Sequence, residues 1–322
     1  MSVPFRPHPW TAGGHRQTLL GFLCRRRLAW PLPNEDVVVD AGEDVRLLLR
    51  ASWQPGSRAA RRALVIVHGL GGSDLAGYVV SAGLHAWRAG WHVIRMNLRS
   101  AGDSVRWCAR LYNAGLDEDL LAAVAAVSQQ VPAVGVVGFS LGANLALLAL
   151  ARRASGLPPE FLGAVAISPP LDLAECAAAL ERPANRVYRA YFMGNLREAY
   201  RLRQRLRPDL YAAGRERGLR GVREYDEAIT APYAGFRDAA EYYARASAGP
   251  QLPHITHPAL ILAAEDDPMV PSASVTRWTL PASGAVRREM LTTGGHTGFV
   301  APTRAPGRFW AAERALAFFE GL

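Results

Sequence analysis

The chain has 322 residues, 50% of them hydrophobic and 20% charged, with a formal net charge of +9. This composition excludes a disordered chain, a collagen-like repeat and a coiled coil, and the length leaves room for one large domain or two small ones around a buried core. No apolar run reaches the roughly 18 residues a membrane span needs, and all 37 basic residues are arginine, spread along the chain in a way that reflects compositional bias rather than a nucleic-acid-binding stripe.

After a Pro-rich lead-in, Val37–Val39 and Val45–Leu49 flank the turn Asp40-Ala41-Gly42-Glu43-Asp44, which is a hairpin signal. Short apolar runs follow at Ala63–Val67, His92–Met96, Val134–Val137, Val165–Ile167 and Ala259–Ala264, with a more mixed one at Val286–Leu291. Their hydrophobicity is continuous rather than alternating, as expected for strands buried on both faces of a parallel sheet. Helical patterns lie between them. Asp117-Glu118-Asp119 puts acid on a first turn ahead of Leu120, Val124 and Val127. Leu141, Leu145 and Leu148 share that spacing, and Phe309, Ala312, Leu316 and Phe319 give a last amphipathic helix. The alternation predicts a doubly wound α/β sheet with helices on both faces.

The rhythm stops between Asp172 and Leu252, a stretch that is helix-like, rich in Arg and Tyr, and too long for a loop. The expected organisation is therefore a core formed by residues 1–171 and 253–322, interrupted by a helical cap at 172–252. Twelve arginines fall between Arg182 and Arg223. They are read as a solvated helix face in preference to a surface that recruits anionic substrates.

The sharpest motif is Gly138-Phe139-Ser140-Leu141-Gly142, directly after one predicted strand and opening a predicted helix. That context is the nucleophile elbow, G-x-S-x-G: a tight turn that lifts a serine above the sheet and needs small residues on both sides. A serine hydroxyl requires a base. His296 follows the last predicted strand in the glycine-rich Gly294-Gly295-His296-Thr297-Gly298, which leaves an imidazole free to be placed. The imidazolium formed in reaction needs a carboxylate, and Asp267, in Glu265-Asp266-Asp267-Pro268 after the strand Ala259–Ala264, is the preferred acid, with Asp266 as rival and Asp172 third. The order Ser140, acid, His296 is that of α/β-hydrolases. His68-Gly69-Leu70-Gly71-Gly72 ends the first parallel strand, and the backbone N–H groups of Leu70 and Leu141 are the expected oxyanion hole. His254 and His257, in one Pro-flanked loop, are read as structural, so no metal site is expected.

The segments HGLGGS, GFSLGAN, AAEDDPMVP and GGHTGF, in this order, resemble the α/β-hydrolase superfamily. Pro4-Phe5-Arg6-Pro7 with His15-Arg16-Gln17-Thr18-Leu19, Asn97-Leu98-Arg99 and Tyr242-Tyr243-Ala244-Arg245-Ala246-Ser247 are similar to the YheT-like branch. The resemblance implies a serine hydrolase acting on carboxylic or lipid-like acyl esters through Ser140, Asp267 and His296. Two positions depart from it: Ser100 stands where Gly usually follows N-x-R, and Ala143 replaces a Gly after the elbow.

The expected partners are small-molecule or lipid-like esters, with no nucleic acid and no transmembrane segment, while peripheral membrane contact and oligomeric state stay open. No metal or organic cofactor is expected. Cys24, Cys108 and Cys176 are far apart and odd in number, and Met1–Pro7 lacks the apolar core of a signal peptide, so a cytoplasmic location with reduced thiols is expected. Two alternatives share the motifs: an acyltransferase using the same triad, and a non-catalytic binding module on the same fold.

Overall fold

The computed structural model describes residues 4–25, 28–42, 44–302 and 309–322. Glu43 of the hairpin turn and the first three residues of the N-terminal segment lie outside the described residues.

Among the described residues eight strands form one sheet: β1 Glu35–Asp40, β2 Arg46–Ser52, β3 Ala63–Val67, β4 His92–Asn97, β5 Val134–Phe139, β6 Phe161–Ile167, β7 Ala259–Ala264 and β8 Val286–Leu291. Their order is β1-β2-β4-β3-β5-β6-β7-β8. β1 pairs antiparallel with β2, β2 pairs antiparallel with β4, and the remaining pairs are parallel. The expected doubly wound α/β architecture is what the structure shows.

The continuous apolar runs have a direct cause. In β3, Val65 and Val67 belong to one core cluster with Ile94, Met96 and Val136, while Leu64 and Ile66 belong to a second with Val93, Val137 and Phe139. Successive side chains point to opposite faces, and both faces are covered, so every position of β3 is apolar. Each such Val, Leu or Ile contributes about 1.5–3 kcal/mol on burial, several-fold more than strand propensity alone.

The helices are α1 Gly14–Arg25, α2 Gly77–Arg88, α3 Asp117–Ser128, α4 Leu141–Arg152, α5 Leu173–Glu181, α6 Arg186–Leu206, α7 Val222–Tyr225, α8 Ala231–Tyr233, α9 Ala239–Ala246, α10 Ser272–Thr276 and α11 Trp310–Glu320. A single π-helical turn, Asp226–Thr230, joins α7 to α8. Val79, Ala82 and Ala86 of α2 pack with Trp310, Ala315 and Phe319 of α11 on one face of the sheet; Leu120 and Val124 of α3 pack with Leu145 and Leu148 of α4 on the other.

Between β6 and β7 the described chain is helical. It holds its own apolar cluster, which includes Leu180, Tyr188, Met193, Tyr200, Tyr211, Tyr225 and Ile229, together with Met269 from the loop after β7. Several of its arginines are engaged within the protein: Arg189 pairs with Glu181, Arg201 with Glu216 and Arg207 with Asp209. Buried Arg203 donates to the carbonyls of Val105 and Cys108, so one arginine of the cluster ties this segment to the loop after β4 rather than facing solvent.

Candidate active site

Ser140 stands between the end of β5 and the start of α4 with φ 51° and ψ −117°, a strained backbone for an L-residue. The flanking glycines are sterically required. A Cβ on Gly138 would lie 2.3 Å from the Gly142 carbonyl oxygen, and one on Gly142 would lie 2.6 Å from the carbonyl oxygens of Val67 and His68. The turn therefore closes only around hydrogen atoms at these two positions, and it places the serine at the N-terminus of a helix.

His296 comes to Ser140 from the loop after β8, with Nε2 2.9 Å from Oγ. Its Nδ1 lies 2.8 Å from Oδ2 of Asp267, in the turn after β7. The other Asp267 oxygen accepts the backbone N–H groups of Met269 and Val270, at 2.8 and 3.0 Å, which fixes the carboxylate from behind. The Asp267 and His296 side chains are only 1% and 9% exposed. Strand ends thus bring Ser140, Asp267 and His296 into one chain of hydrogen bonds.

The other two carboxylates sit elsewhere. Asp266 accepts the Thr293 hydroxyl at 2.7 Å and the N–H groups of Gly294 and Gly295 at 2.9 and 2.8 Å, so it anchors the loop that carries His296 without touching the imidazole. Asp172 caps α5 by accepting the Glu175 N–H at 3.1 Å and faces Arg277 at 3.8 Å, which corrects its reading as a third candidate acid. His257 packs its ring edge against Phe161, and His254 ends a 3₁₀ turn.

The glycine turn after β3 lies against the serine: a Cβ on Gly69 would be 3.0 Å from the Ser140 Cβ. The Gly69 N–H donates to the Tyr78 hydroxyl at 2.9 Å and the Gly71 N–H to the Tyr112 hydroxyl at 2.7 Å. Between them the Leu70 N–H donates no hydrogen bond among the described residues, and neither does the Leu141 N–H at the start of α4. His68, buried below, accepts the Leu98 N–H at Nε2, so its Nδ1 carries the proton donated to the Gly69 carbonyl. Burial pushes its pKa down to about 4 and keeps the ring neutral.

Sequence reasoning missed the part played by α1. The Thr18 hydroxyl accepts the His296 backbone N–H, the Gln17 side-chain oxygen accepts the Val300 N–H at 2.7 Å, and Arg25 donates to the carbonyls of Thr297 and Gly298 at 2.6 and 2.7 Å. Arg25 is buried with its guanidinium 3.3 Å from the centre of the Phe309 ring, and burial lowers its pKa to about 9. The His15-Arg16-Gln17-Thr18-Leu19 segment signals this role only as a family signature.

Two cavities open on Ser140 and His296. One, of about 540 Å³, runs between α1 and α6 and is walled by Leu19, Phe22, Leu75, Val187, Tyr191 and Phe192 among others. The second, of about 330 Å³, lies under the helices between β6 and β7 and reaches Tyr112, Asn195, Asp226 and Tyr242.

A glycine-flanked serine on a strand-to-helix turn, a histidine after the last strand and a carboxylate one strand earlier make an α/β-hydrolase arrangement. Residues 62–301 match the family model described as the alpha/beta hydrolase fold, and the chain belongs to that family. Within it the chain is YheT-like: it is 29% identical over 318 residues to "Putative esterase YheT" of Escherichia coli, covering 97% of this chain and 92% of that protein. It is 24% identical over 306 residues to the phospholipase ABHD3 of Mus musculus, covering 92% of this chain and 73% of the relative. The fold is shared with the Pyrococcus furiosus esterase Pf2001, with a TM-score of 0.56 at 17% identity over 100% of this chain and 99% of that one.

Proposed function

We propose that the protein is a serine hydrolase of carboxylic esters, including lipid-like acyl esters, that works through an acyl-enzyme. The observation that carries this reading is the unbroken hydrogen-bonded chain from Ser140 Oγ through His296 to Asp267 at the junction of two cavities. The names of the relatives, an esterase and a phospholipase, agree with it.

In this mechanism His296 Nε2 takes the Ser140 proton as Oγ attacks the ester carbonyl. The unengaged N–H groups of Leu70 and Leu141 receive the developing oxyanion, and the positive end of α4 adds to their effect. His296 then protonates the leaving alkoxide. A water molecule, deprotonated by the same imidazole, releases the acid from Ser140. Asp267 holds Nδ1–H, so that Nε2 is the basic nitrogen, and stabilises the imidazolium. Residues 172–252 act as a cap over the catalytic unit formed by 1–171 and 253–322, with α5, α6 and the π-helical turn supplying walls of the second cavity. The three free cysteines, Cys24, Cys108 and Cys176, suit a cytoplasmic setting.

Fluorophosphonate labelling and p-nitrophenyl ester hydrolysis test the mechanism. Both should be lost in Ser140→Ala with little drop in melting temperature, because the substitution removes one hydroxyl and the His296 Nε2 it leaves faces the cavities, where water can replace it. Near-normal turnover by Ser140→Ala would sink the mechanism.

A further inference from the structure

Five buried side-chain nitrogens have no hydrogen-bond partner among the described residues: Nε of Arg25, Arg95 and Arg203, and Nδ2 of Asn97 and Asn195. Four of them belong to side chains that are engaged through other atoms. Arg25 donates to the Thr297 and Gly298 carbonyls, Arg95 faces Asp74, Arg203 donates to the Val105 and Cys108 carbonyls, and Asn97 accepts the Asp74 N–H. Asn195 has no such tie, and it alone of the five lines the second cavity, which also contains Ser140, Leu141 and His296. Along α6 the residues facing this cavity include Phe192, Asn195, Ala199 and Leu202, a stripe at helical spacing that is otherwise apolar. A buried amide without a protein partner is uncommon in a folded chain, and its partner is to be sought in what enters the cavity.

Its placement narrows that search. Asn195 lies against the glycine turn after β3, where a Cβ on Gly71 would come within 2.6 Å of Nδ2 and 3.2 Å of the Asn195 Cβ and Cγ. Gly71 has a φ of 70° and directly follows Leu70, whose N–H is one of the two unengaged donors beside Ser140. The Gly71 N–H is taken by the Tyr112 hydroxyl, so the turn itself offers no further donor there.

We propose that Asn195 is a catalytic residue: its amide N–H is a third donor to the oxyanion, brought by α6 to the carbonyl oxygen that the Leu70 and Leu141 N–H groups hold. The inference rests on the ester-hydrolase reading. The step it serves is the addition of Ser140 Oγ to the ester carbonyl. A C–O bond forms, the Oγ proton passes to His296 Nε2, and the carbonyl π electrons move onto oxygen. The charge on that oxygen is small in the ester and nearly full in the tetrahedral intermediate, so a donor aimed at it acts mainly on kcat. Because Nδ2 has no protein acceptor, it gives up no bond when the oxyanion forms.

Steady-state kinetics of Asn195→Ala and Asn195→Asp on p-nitrophenyl butanoate test the assignment. In Asn195→Ala, kcat should fall about a hundredfold with KM within about twofold, as expected when one oxyanion donor is removed. Its melting temperature should hold, since no hydrogen bond of the free protein is lost. Asn195→Asp, of the same shape, should lose more, because it sets a carboxylate beside the developing negative charge. A hexyl trifluoromethyl ketone, which takes up Ser140 Oγ as a hemiketal oxyanion, should bind Asn195→Ala about a hundredfold more weakly than the unsubstituted protein. Hexyl methyl ketone, which stays a ketone, should bind both alike. An unchanged kcat in Asn195→Ala overturns the proposal. So does a rise in KM alone, which would make Asn195 a ground-state contact, and so does equal weakening of the two ketones, which would reduce its role to packing. Should Asn195→Asp fail to fold, Asn195→Ala still decides. In each of these cases the unsubstituted protein is labelled by fluorophosphonate, so the hydrolase reading stands. If the unsubstituted protein neither labels nor turns over the ester, that reading fails and the role of Asn195 with it.

Discussion

The Thr18 hydroxyl accepts the backbone N–H of His296 at 2.8 Å, across 278 residues of sequence, and passes its own proton to the Gly14 carbonyl at 2.7 Å. The imidazole therefore rests on a loop whose backbone is fastened to α1. Removing that acceptor strands a buried N–H at a cost of about 1–3 kcal/mol and lets the loop drift. Thr18→Val, close in shape, should lower kcat about tenfold or more with little change in KM, and Thr18→Ser should restore it. Steady-state kinetics on the three proteins separates positioning from packing, because Val preserves the packing and Ser preserves the hydrogen bond. Equal activity of all three would remove Thr18 from the account.

The adjacent aspartates should respond differently to the same change. Asp267→Asn presents an amide to Nδ1 and favours the wrong imidazole tautomer, so kcat should fall by about 10³–10⁴ with the melting temperature nearly unchanged. Asp266→Asn keeps one carbonyl oxygen for the Gly294 and Gly295 N–H groups. It should cost little in kcat and show chiefly as a lower melting temperature. The reverse pattern would transfer the acid role to Asp266.

His68 makes an acid-side prediction. Its ordinary value of 6.5 is lowered to about 4 by burial, so the unfolded chain binds the proton more readily than the folded one below pH 6.5. The associated stability is fully present above pH 6.5 and is lost as pH falls towards 4, to a total of about 3 kcal/mol. Nitrogen NMR of the folded protein at pH 5 should find this ring neutral, with the proton on Nδ1. A charged His68 ring at pH 5 in folded protein would contradict the assignment.

Ser100 has a φ of 60°, in the left-handed region where glycine is favoured, and its hydroxyl donates to the Arg110 carbonyl. Alanine keeps the strain and loses the bond, whereas glycine loses both. Ser100→Gly should therefore be more stable than Ser100→Ala by about 1 kcal/mol, which corresponds to roughly 2–4 °C in Tm and is measurable by calorimetry. An Ala variant that melts above the Gly variant would show that the strain is absent in solution.

The central strands and the elbow were legible because burial on both faces leaves an unmistakable apolar run, and because G-x-S-x-G after such a run has a steric cause. Val134–Val137 and Ala259–Ala264 point directly to β5 and β7. The helix α1 was not legible, for a physical reason. Its buried face carries Gln17, Thr18 and Arg25, because it packs on the backbone of the His296 loop, while Leu19, Phe22 and Leu23 stay exposed. This inverts the usual amphipathic pattern, so a search for an apolar stripe finds nothing. Tyr78 and Tyr112 were hidden for a related reason: their value lies in hydroxyls that occupy Gly69 and Gly71 and leave Leu70 free, a distinction no periodicity records. Asp267 could be preferred over Asp266 because Asp267-Pro268-Met269-Val270-Pro271 places it at the strand-end turn, but only geometry separates a carboxylate that meets the imidazole from one that fastens its loop.

From β5 onward the strands join the sheet in the order in which they are made, each at the outer edge of the one before. Ser140 comes with β5, Asp267 follows β7 and His296 follows β8. During synthesis Ser140 is therefore made well before the segment that carries His296 exists. A ribosome-bound or truncated chain that stops short of residue 296 thus lacks the imidazole that meets Ser140. Topology itself sets the order of assembly: the hydrogen bond between Ser140 and His296 can form only once the last strand has docked.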